Sequence, residues 1–284
     1  MIRASFLQYL AVSRSYAGAF VAFIIISTVL AIIPILLGQY IAGADFIRNF
    51  EASGGGRHPI AFIIIGMNGW TFISYALWDY STYMREEQQA GTLESLFLTP
   101  ANQILVITGR SIVSAILALA SFIIGTFTGL LIFDTEILLS QDVFLVLVGM
   151  MMLFFSFLPM MGISLLLGAL IMRFKEIYNI TSIIHFALGT LMGVTFPILL
   201  LPFFIQFLGF FFPGTWMMQD LRYIMTGSPP MVAIYGLESL TGIYPAITDG
   251  VAIVILAVIW GVLGWLIFNG TIGRMKRQSG IGTY

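Results

Sequence analysis

Long, almost unbroken apolar runs separated by short polar stretches set the pattern of this chain. A helix that crosses a bilayer needs about 20 mostly apolar residues, because the hydrocarbon core is ~30 Å thick and each residue rises ~1.5 Å. Six segments meet that length: about Ala17 to Gly38, Pro59 to Trp78, Ile104 to Phe133, Val143 to Met172, Ile177 to Pro197 and Ile247 to Phe268. Strands of a membrane barrel alternate apolar and polar residues, whereas these runs are continuous. The expected fold is an all-α polytopic membrane protein with six transmembrane helices in a single domain, residues 1–284. The first run is too long for a signal-peptide core and is expected to be a span.

The fifth run is unusual, because apolar sequence continues from Ile177 almost to Pro213. One helix of that length would reach roughly 55 Å, well beyond the bilayer core. Pro197 and Pro202 interrupt it, each removing an amide donor and crowding the preceding turn. The expectation is a fifth span that ends near Pro197, then a re-entrant hairpin in the outer leaflet, with one long kinked helix as the alternative. Broken backbone at that depth needs cover from protein or water. Thr215 to Met225 mixes Trp216, Met217, Leu221 and Ile224 with Gln219, Asp220 and Arg222, a composition that suits a short helix at the outer interface. Gly54-Gly55-Gly56 is expected to be a flexible turn, and Pro159 to kink the fourth span.

Composition sharpens this picture. Hydrophobic residues make up 59% and charged residues 9%, against about 25% charged in a soluble domain. These values exclude a soluble globular enzyme and a disordered chain, and a net charge of −1 leaves no basic surface for nucleic acid. With no cysteine, disulfides, thiolate metal sites and a cysteine nucleophile are excluded as well. Six spans place both termini on one side. That side holds Arg3, Arg14, Arg85, Arg110, Arg173, Lys175, Arg274, Lys276 and Arg277. The other holds Arg48, Arg57 and Arg222, which completes the 12 Lys and Arg. By the positive-inside rule both termini are expected in the cytoplasm, with the chain in the cell membrane.

Catalytic chemistry is sparse. No P-loop is present, and the two lysines, Lys175 and Lys276, lie in no such motif. His58 and His185 are far apart and no G-x-S-x-G element accompanies them. No metal or other cofactor is expected on this chain. Asp79, Asp134 and Asp142 flank span ends instead of occupying their middles, which argues against an ion-coupled carrier.

The stretch between the second and third spans is the most informative. It reads Met84-Arg85-Glu86-Glu87-Gln88-Gln89-Ala90-Gly91-Thr92-Leu93-Glu94-Ser95-Leu96-Phe97-Leu98-Thr99-Pro100. Leu93, Leu96 and Phe97 share a helical face, Glu87 and Glu94 share another, and Pro100 ends the helix. The segment either rests as an amphipathic helix on the inner leaflet or docks to a protein; helices of the first kind usually carry a basic polar face, whereas this one is acidic, which suits docking better.

Here the chain resembles the ABC-2 type permeases, the membrane subunits of ATP-binding-cassette exporters. The likeness rests on Arg85-Glu86-Glu87, Gly91-Thr92-Leu93-Glu94-Ser95-Leu96 and Thr99-Pro100. It rests also on Gly193-Val194-Thr195-Phe196-Pro197, Leu201-Pro202, Pro213, Trp216 and Asp220-Leu221-Arg222. Ser5 to Ser15, with Phe6, Leu7, Leu10 and Val12 opposed to Gln8, Ser13 and Arg14, matches the family's N-terminal amphipathic elbow helix. The resemblance implies a half-transporter: two permease chains, a homodimer, served by two copies of a separate ATPase subunit that binds ATP and magnesium. Arg85, Glu86, Glu87, Gly91, Thr92, Glu94, Ser95 and Leu96 would then form a cytoplasmic coupling helix seated in the ATPase. The hairpin with Phe196, Pro197 and Pro202 would close the outer end of the path. The implied cargo is an amphipathic or lipid-linked drug, lipid or glycan; an ATP-independent carrier or channel is the alternative.

Within the spans, Asn68, Thr71 and Ser74 recur at i, i+3 and i+6 and form a weakly polar stripe. It either faces a substrate path or bonds helix to helix. His185 is expected to be a satisfied packing histidine, with a pH-sensitive gate as the functional alternative. Gly125/Gly129 and Gly189/Gly193 are G-x-x-x-G pairs that would allow close helix approach or arise by chance among 29 glycines.

Overall fold

A computed structural model of the chain describes residues 2–15, 17–92, 103–133, 143–173, 177–234, 236 and 245–277. Every regular element among them is helical. In chain order these are α1 (Ile2–Ser15), α2 (Ala17–Ala42), α3 (Phe46–Ala52), α4 (Pro59–Gln89), α5 (Gln103–Ile132), α6 (Val143–Arg173), α7 (Ile177–Leu191), α8 (Phe203–Phe210), α9 (Pro213–Thr226), α10 (Met231–Ile234) and α11 (Pro245–Arg277).

Four helical stretches are long and apolar enough to cross a membrane: Pro59–Trp78, Leu105–Ile132, Leu147–Arg173 and Ile247–Arg274. A fifth arises if Thr28–Ile41 and Phe46–Ala52, which meet at a bend of 104°, count as one broken span. The expected fifth span falls short. Helix α7 has 15 residues, about 22 Å at ~1.5 Å per residue, against a core of ~30 Å. It ends at Leu191, before either proline, because Gly193 takes up a left-handed conformation at φ 65°. Glycine alone enters that region without steric cost.

Helix α4 is the centre of the bundle. Of its apolar stretch 78% is buried, against 22% for α11. The difference follows from the side chains. Helix α4 buries Asn68, Thr71, Ser74, Ser81 and Thr82, whereas α11 turns Val251, Val254, Val258, Val262 and Leu266 outward at helical spacing. Lipid gives helices no hydrophobic reason to associate, so close packing of small residues carries the contact. Gly125 and Gly129 of α5 both meet α4, at Asn68 and Ile64; a Cβ on Gly129 would sit 2.8 Å from the Ile64 side chain. This G-x-x-x-G pair is therefore a packing contact. Of the other pair, Gly189 faces Trp70 and Gly193 belongs to the turn. Gly162 of α6 and Gly264 of α11 bring two backbones together, and a Cβ on either would strike the other helix. Pro159 lies inside α6, which continues through it to Arg173.

After α7 the chain turns at Gly193 and makes a 3-10 turn over Ile198–Leu200, with Pro197 before it, and Pro202 precedes α8. Helix α8 folds back so that Gly209 lies against the Leu191 carbonyl. Helix α9 then enters the protein, packed among α4, α6 and α11. The expectation of an interfacial helix is overturned here: all residues of α9 except Tyr223 are buried. Arg222 therefore leaves the set of loop cations counted for topology. The Gly54-Gly55-Gly56 turn is likewise not a free loop. Gly55 abuts Phe50 and Pro197, and the Ser228 hydroxyl donates to the Gly55 carbonyl at 3.2 Å.

Candidate functional site

Three groups of polar side chains lie along α4. At its Pro59 end lies the hairpin. Arg222 of α9 is 2% exposed, with its guanidinium carbon over the Phe62 ring, 3.4 Å from the centroid. Its Nη2 donates to the carbonyls of Gly193 at 3.0 Å and Val194 at 2.7 Å, and its Nε to the Phe62 carbonyl at 3.3 Å. The cation is thus held by three carbonyl dipoles and an aromatic face, a substitute for water that the planar guanidinium accepts better than an ammonium would. Gly66 makes room: a Cβ there would strike the Val194 carbonyl and the guanidinium. Of the expected gate residues, Pro197 is buried against the Gly55 turn, Phe196 is half-buried and Pro202 is exposed.

Asp220, roughly 200° around α9 from Arg222, points the other way and meets the carboxyl of Asp249 on α11. Both residues are fully buried. Asp249 Oδ2 accepts the Met231 amide at 3.0 Å. No donor other than the partner acid reaches either oxygen of Asp220 among the described residues. Two bare carboxylates in a dry contact repel, so the pair needs a shared proton or a bound cation. Sequence reading missed Asp249; an acid that opens an apolar run was the available signal.

In the middle of α4 is a cavity of about 250 Å³. Trp70, Thr71, Ser74 and Trp78 of α4 line it together with Ser182 and His185 of α7. The His185 ring stacks on Trp78 at 4.4 Å between centroids and 27° between planes, and meets Trp70 edge-on at 5.8 Å. Gly189 admits the Trp70 indole, 3.3 Å from where a Cβ would be. His185 does pack, as expected, but it is not satisfied: no group among the described residues bonds its buried Nε2. The expected polar stripe divides. Thr71 and Ser74 reach the cavity, while Asn68 faces Gly125 of α5 and its Nδ2 donates to the Ile64 carbonyl at 3.0 Å.

At the Gln89 end, the first part of the expected coupling segment continues the second span, and the part from Leu93 on lies outside the described residues. Helix α4 carries straight on through Arg85, Glu86 and Glu87 to Gln89. It stops where Gly91 turns left-handed at φ 71°. Glu86 accepts from Arg110 of α5 at 3.1 Å and from the Thr82 hydroxyl at 2.9 Å. The Thr92 hydroxyl donates to the Glu87 carboxylate. Burial, and then the Glu87 charge, push the Tyr83 phenol up to about 12. Arg110 lies over the Tyr9 ring of α1, 4.7 Å from its centroid, which ties the N-terminal helix to this end. Leu93, Glu94, Ser95, Leu96, Phe97, Thr99 and Pro100 lie outside the described residues, as do Asp134 and Asp142.

No group of three His, Cys, Asp or Glu that would hold a metal occurs among the described residues. Compared with protein-family models and with curated proteins, the sequence matches none. The class that the fold defines is a helical protein with four apolar helices long enough to cross a membrane among the described residues.

Proposed function

We propose that the chain is the permease subunit of an ATP-driven exporter, pairing as a homodimer in the cell membrane with both termini in the cytoplasm. Two copies of a separate ATP-binding-cassette subunit bind ATP and magnesium and hydrolyse the nucleotide; this chain is no enzyme and holds no cofactor. The cargo is an amphipathic or lipid-linked molecule. The observation that carries the reading is the unbroken course of α4. Its 31 residues reach roughly 46 Å, longer than the ~30 Å core. One rod therefore joins the Arg222 hairpin, the cavity and the acidic Glu86–Glu87 end. Closure of the ATPases on ATP would push on the acidic end, tilt α4 and shift the hairpin. The motif likeness around Arg85–Leu96 supplies the partner's chemical class. Mild-detergent purification of the tagged chain, with mass spectrometry of what remains bound, tests this. A stoichiometric P-loop ATPase is expected. A homo-oligomer without one, confirmed after cross-linking in membranes, contradicts it.

The buried Asp220–Asp249 pair favours a second reading, an ATP-independent carrier coupled to protons or another cation, because buried acids in membrane proteins often serve ion pathways. Flux that follows an imposed proton gradient without nucleotide, and is lost in Asp220→Asn, would select it.

A further inference from the structure

The cavity between α2, α4 and α7 is unlike the other apolar clefts of the bundle. The cleft between α5 and α6 adds only the hydroxyls of Thr108 and Ser111 to aliphatic side chains, methionine and phenylalanine, that between α6 and α11 has no polar side chain, and neither holds an indole or an imidazole. This one presents two indoles, an imidazole and three hydroxyls, and no charged side chain. Its volume of about 250 Å³ lies just under the ~300–1,000 Å³ of sites for drug-sized molecules, so it takes one ring and not a whole lipid. His185 Nε2 is buried and unbonded, and an unpaired polar atom in such a place costs free energy until a partner arrives. The Thr71 hydroxyl is already committed as a donor to the Met67 carbonyl at 3.1 Å, which leaves it an acceptor. Ile26 and Leu30 of α2, both about half exposed, and the exposed Ser182 form the rim, so the mouth opens sideways on the α2–α7 flank.

We propose that this cavity binds the neutral, hydroxyl-bearing ring of an amphiphile, the ring lying by Trp70 and bonding His185 Nε2, the remainder leaving over Ile26 and Leu30. Neutrality follows from the absence of any charged group in the lining, ring shape from the indoles, and hydroxyls from the unbonded His185 Nε2 and the Thr71 oxygen left as an acceptor. A sideways mouth collects its ligand from the bilayer, so the ligand is amphipathic. The proposal names the cargo site of the permease reading and rests on that reading only for the word cargo.

The test uses the whole chain in phosphatidylcholine nanodiscs, without any ATPase. It has two histidines, so ¹⁵N labelling of the histidine ring nitrogens gives signals from two imidazoles only, and His58 serves as the internal control. Octyl β-D-glucoside, kept below its micellar concentration, is the probe; octyl phosphocholine, with the same tail and a charged head, is the comparison. The expected result is a saturable shift of the His185 signal with the glucoside alone. Ser182→Phe, at the exposed rim where folding is not at stake, should abolish that shift, and Trp78→Leu should weaken binding about tenfold. No saturable shift with the glucoside, or equal shifts with both amphiphiles, overturns the proposal. Binding in this assay alongside purification without an ATPase would keep the site and remove the exporter; an ATPase partner without binding would do the reverse.

Discussion

At its Pro59 end, α4 is gripped: Arg222 bonds the Phe62 carbonyl and covers the Phe62 ring, and Gly66 lies directly under the Val194 carbonyl. At its Gln89 end, the same helix is loosely dressed. The Glu86–Arg110 ion pair leaves Glu86 48% exposed, and among the described residues nothing lies within 4 Å of where a Gly91 Cβ would be. A rod fixed at one end and open at the other transmits a push from the open end to the fixed one. That contrast, more than any single residue, favours a partner at the Gln89 end and a gate at the other.

The largest effect expected is at the gripped end. Arg222→Ala strips three carbonyls of their donor and leaves a void, and should cost about 3 kcal/mol, read as an earlier transition in heat or denaturant unfolding in one detergent. Gly66→Ala should cost about 2 kcal/mol by the same measurement, since the clash is with backbone and cannot be relieved by a rotamer change. At the open end Gly91→Ala should cost about 1 kcal/mol, for the left-handed backbone alone. Glu86→Gln should shift stability by about 0.5 kcal/mol, as partly exposed ion pairs do, while weakening retention of the proposed ATPase. A loss at Gly91 equal to that at Gly66 would erase the contrast.

The smallest effect is spectroscopic. Tyr83 titrates at about 12 in the folded chain, above its ordinary value of 10.0, because burial and Glu87 disfavour the phenolate. The stability this group contributes is therefore complete below pH 10 and is lost as the pH rises through about 12. Tyr83→Phe should remove a late step from the tyrosinate absorbance titration, and Glu87→Gln should move that step to lower pH.

The sequence made the apolar runs legible because lipid demands them; the helices over Pro59–Trp78, Leu105–Ile132, Leu147–Arg173 and Ile247–Arg274 lie where hydropathy places them. Their ends were less legible. Ser81 to Gln89 are polar and helix-compatible, so α4 outruns its apolar stretch by more than two turns. Pro197 looked like the stop of α7, but the left-handed Gly193 acts first. Helix α9 was misread for a physical reason: a helix with Gln219, Asp220 and Arg222 beside Trp216 and Leu221 has one pattern whether its polar face meets water or meets carbonyls and an acid across a protein contact. Thr71 and Ser74 were found by their spacing. His185 gained its meaning only when α7 brought it onto Trp78, a contact across more than a hundred residues.

The absence of cysteine makes the most direct test clean. A single cysteine replaces exposed Ala90 at the open end of α4, and in a second variant Arg48, which is exposed on α3 beyond the other end. Each is labelled with a benzophenone maleimide in native membranes, irradiated, and the adduct identified by mass spectrometry. The account predicts an adduct with a P-loop ATPase from Ala90→Cys and none from Arg48→Cys. Adducts from Ala90→Cys with lipid or with this chain alone would contradict it.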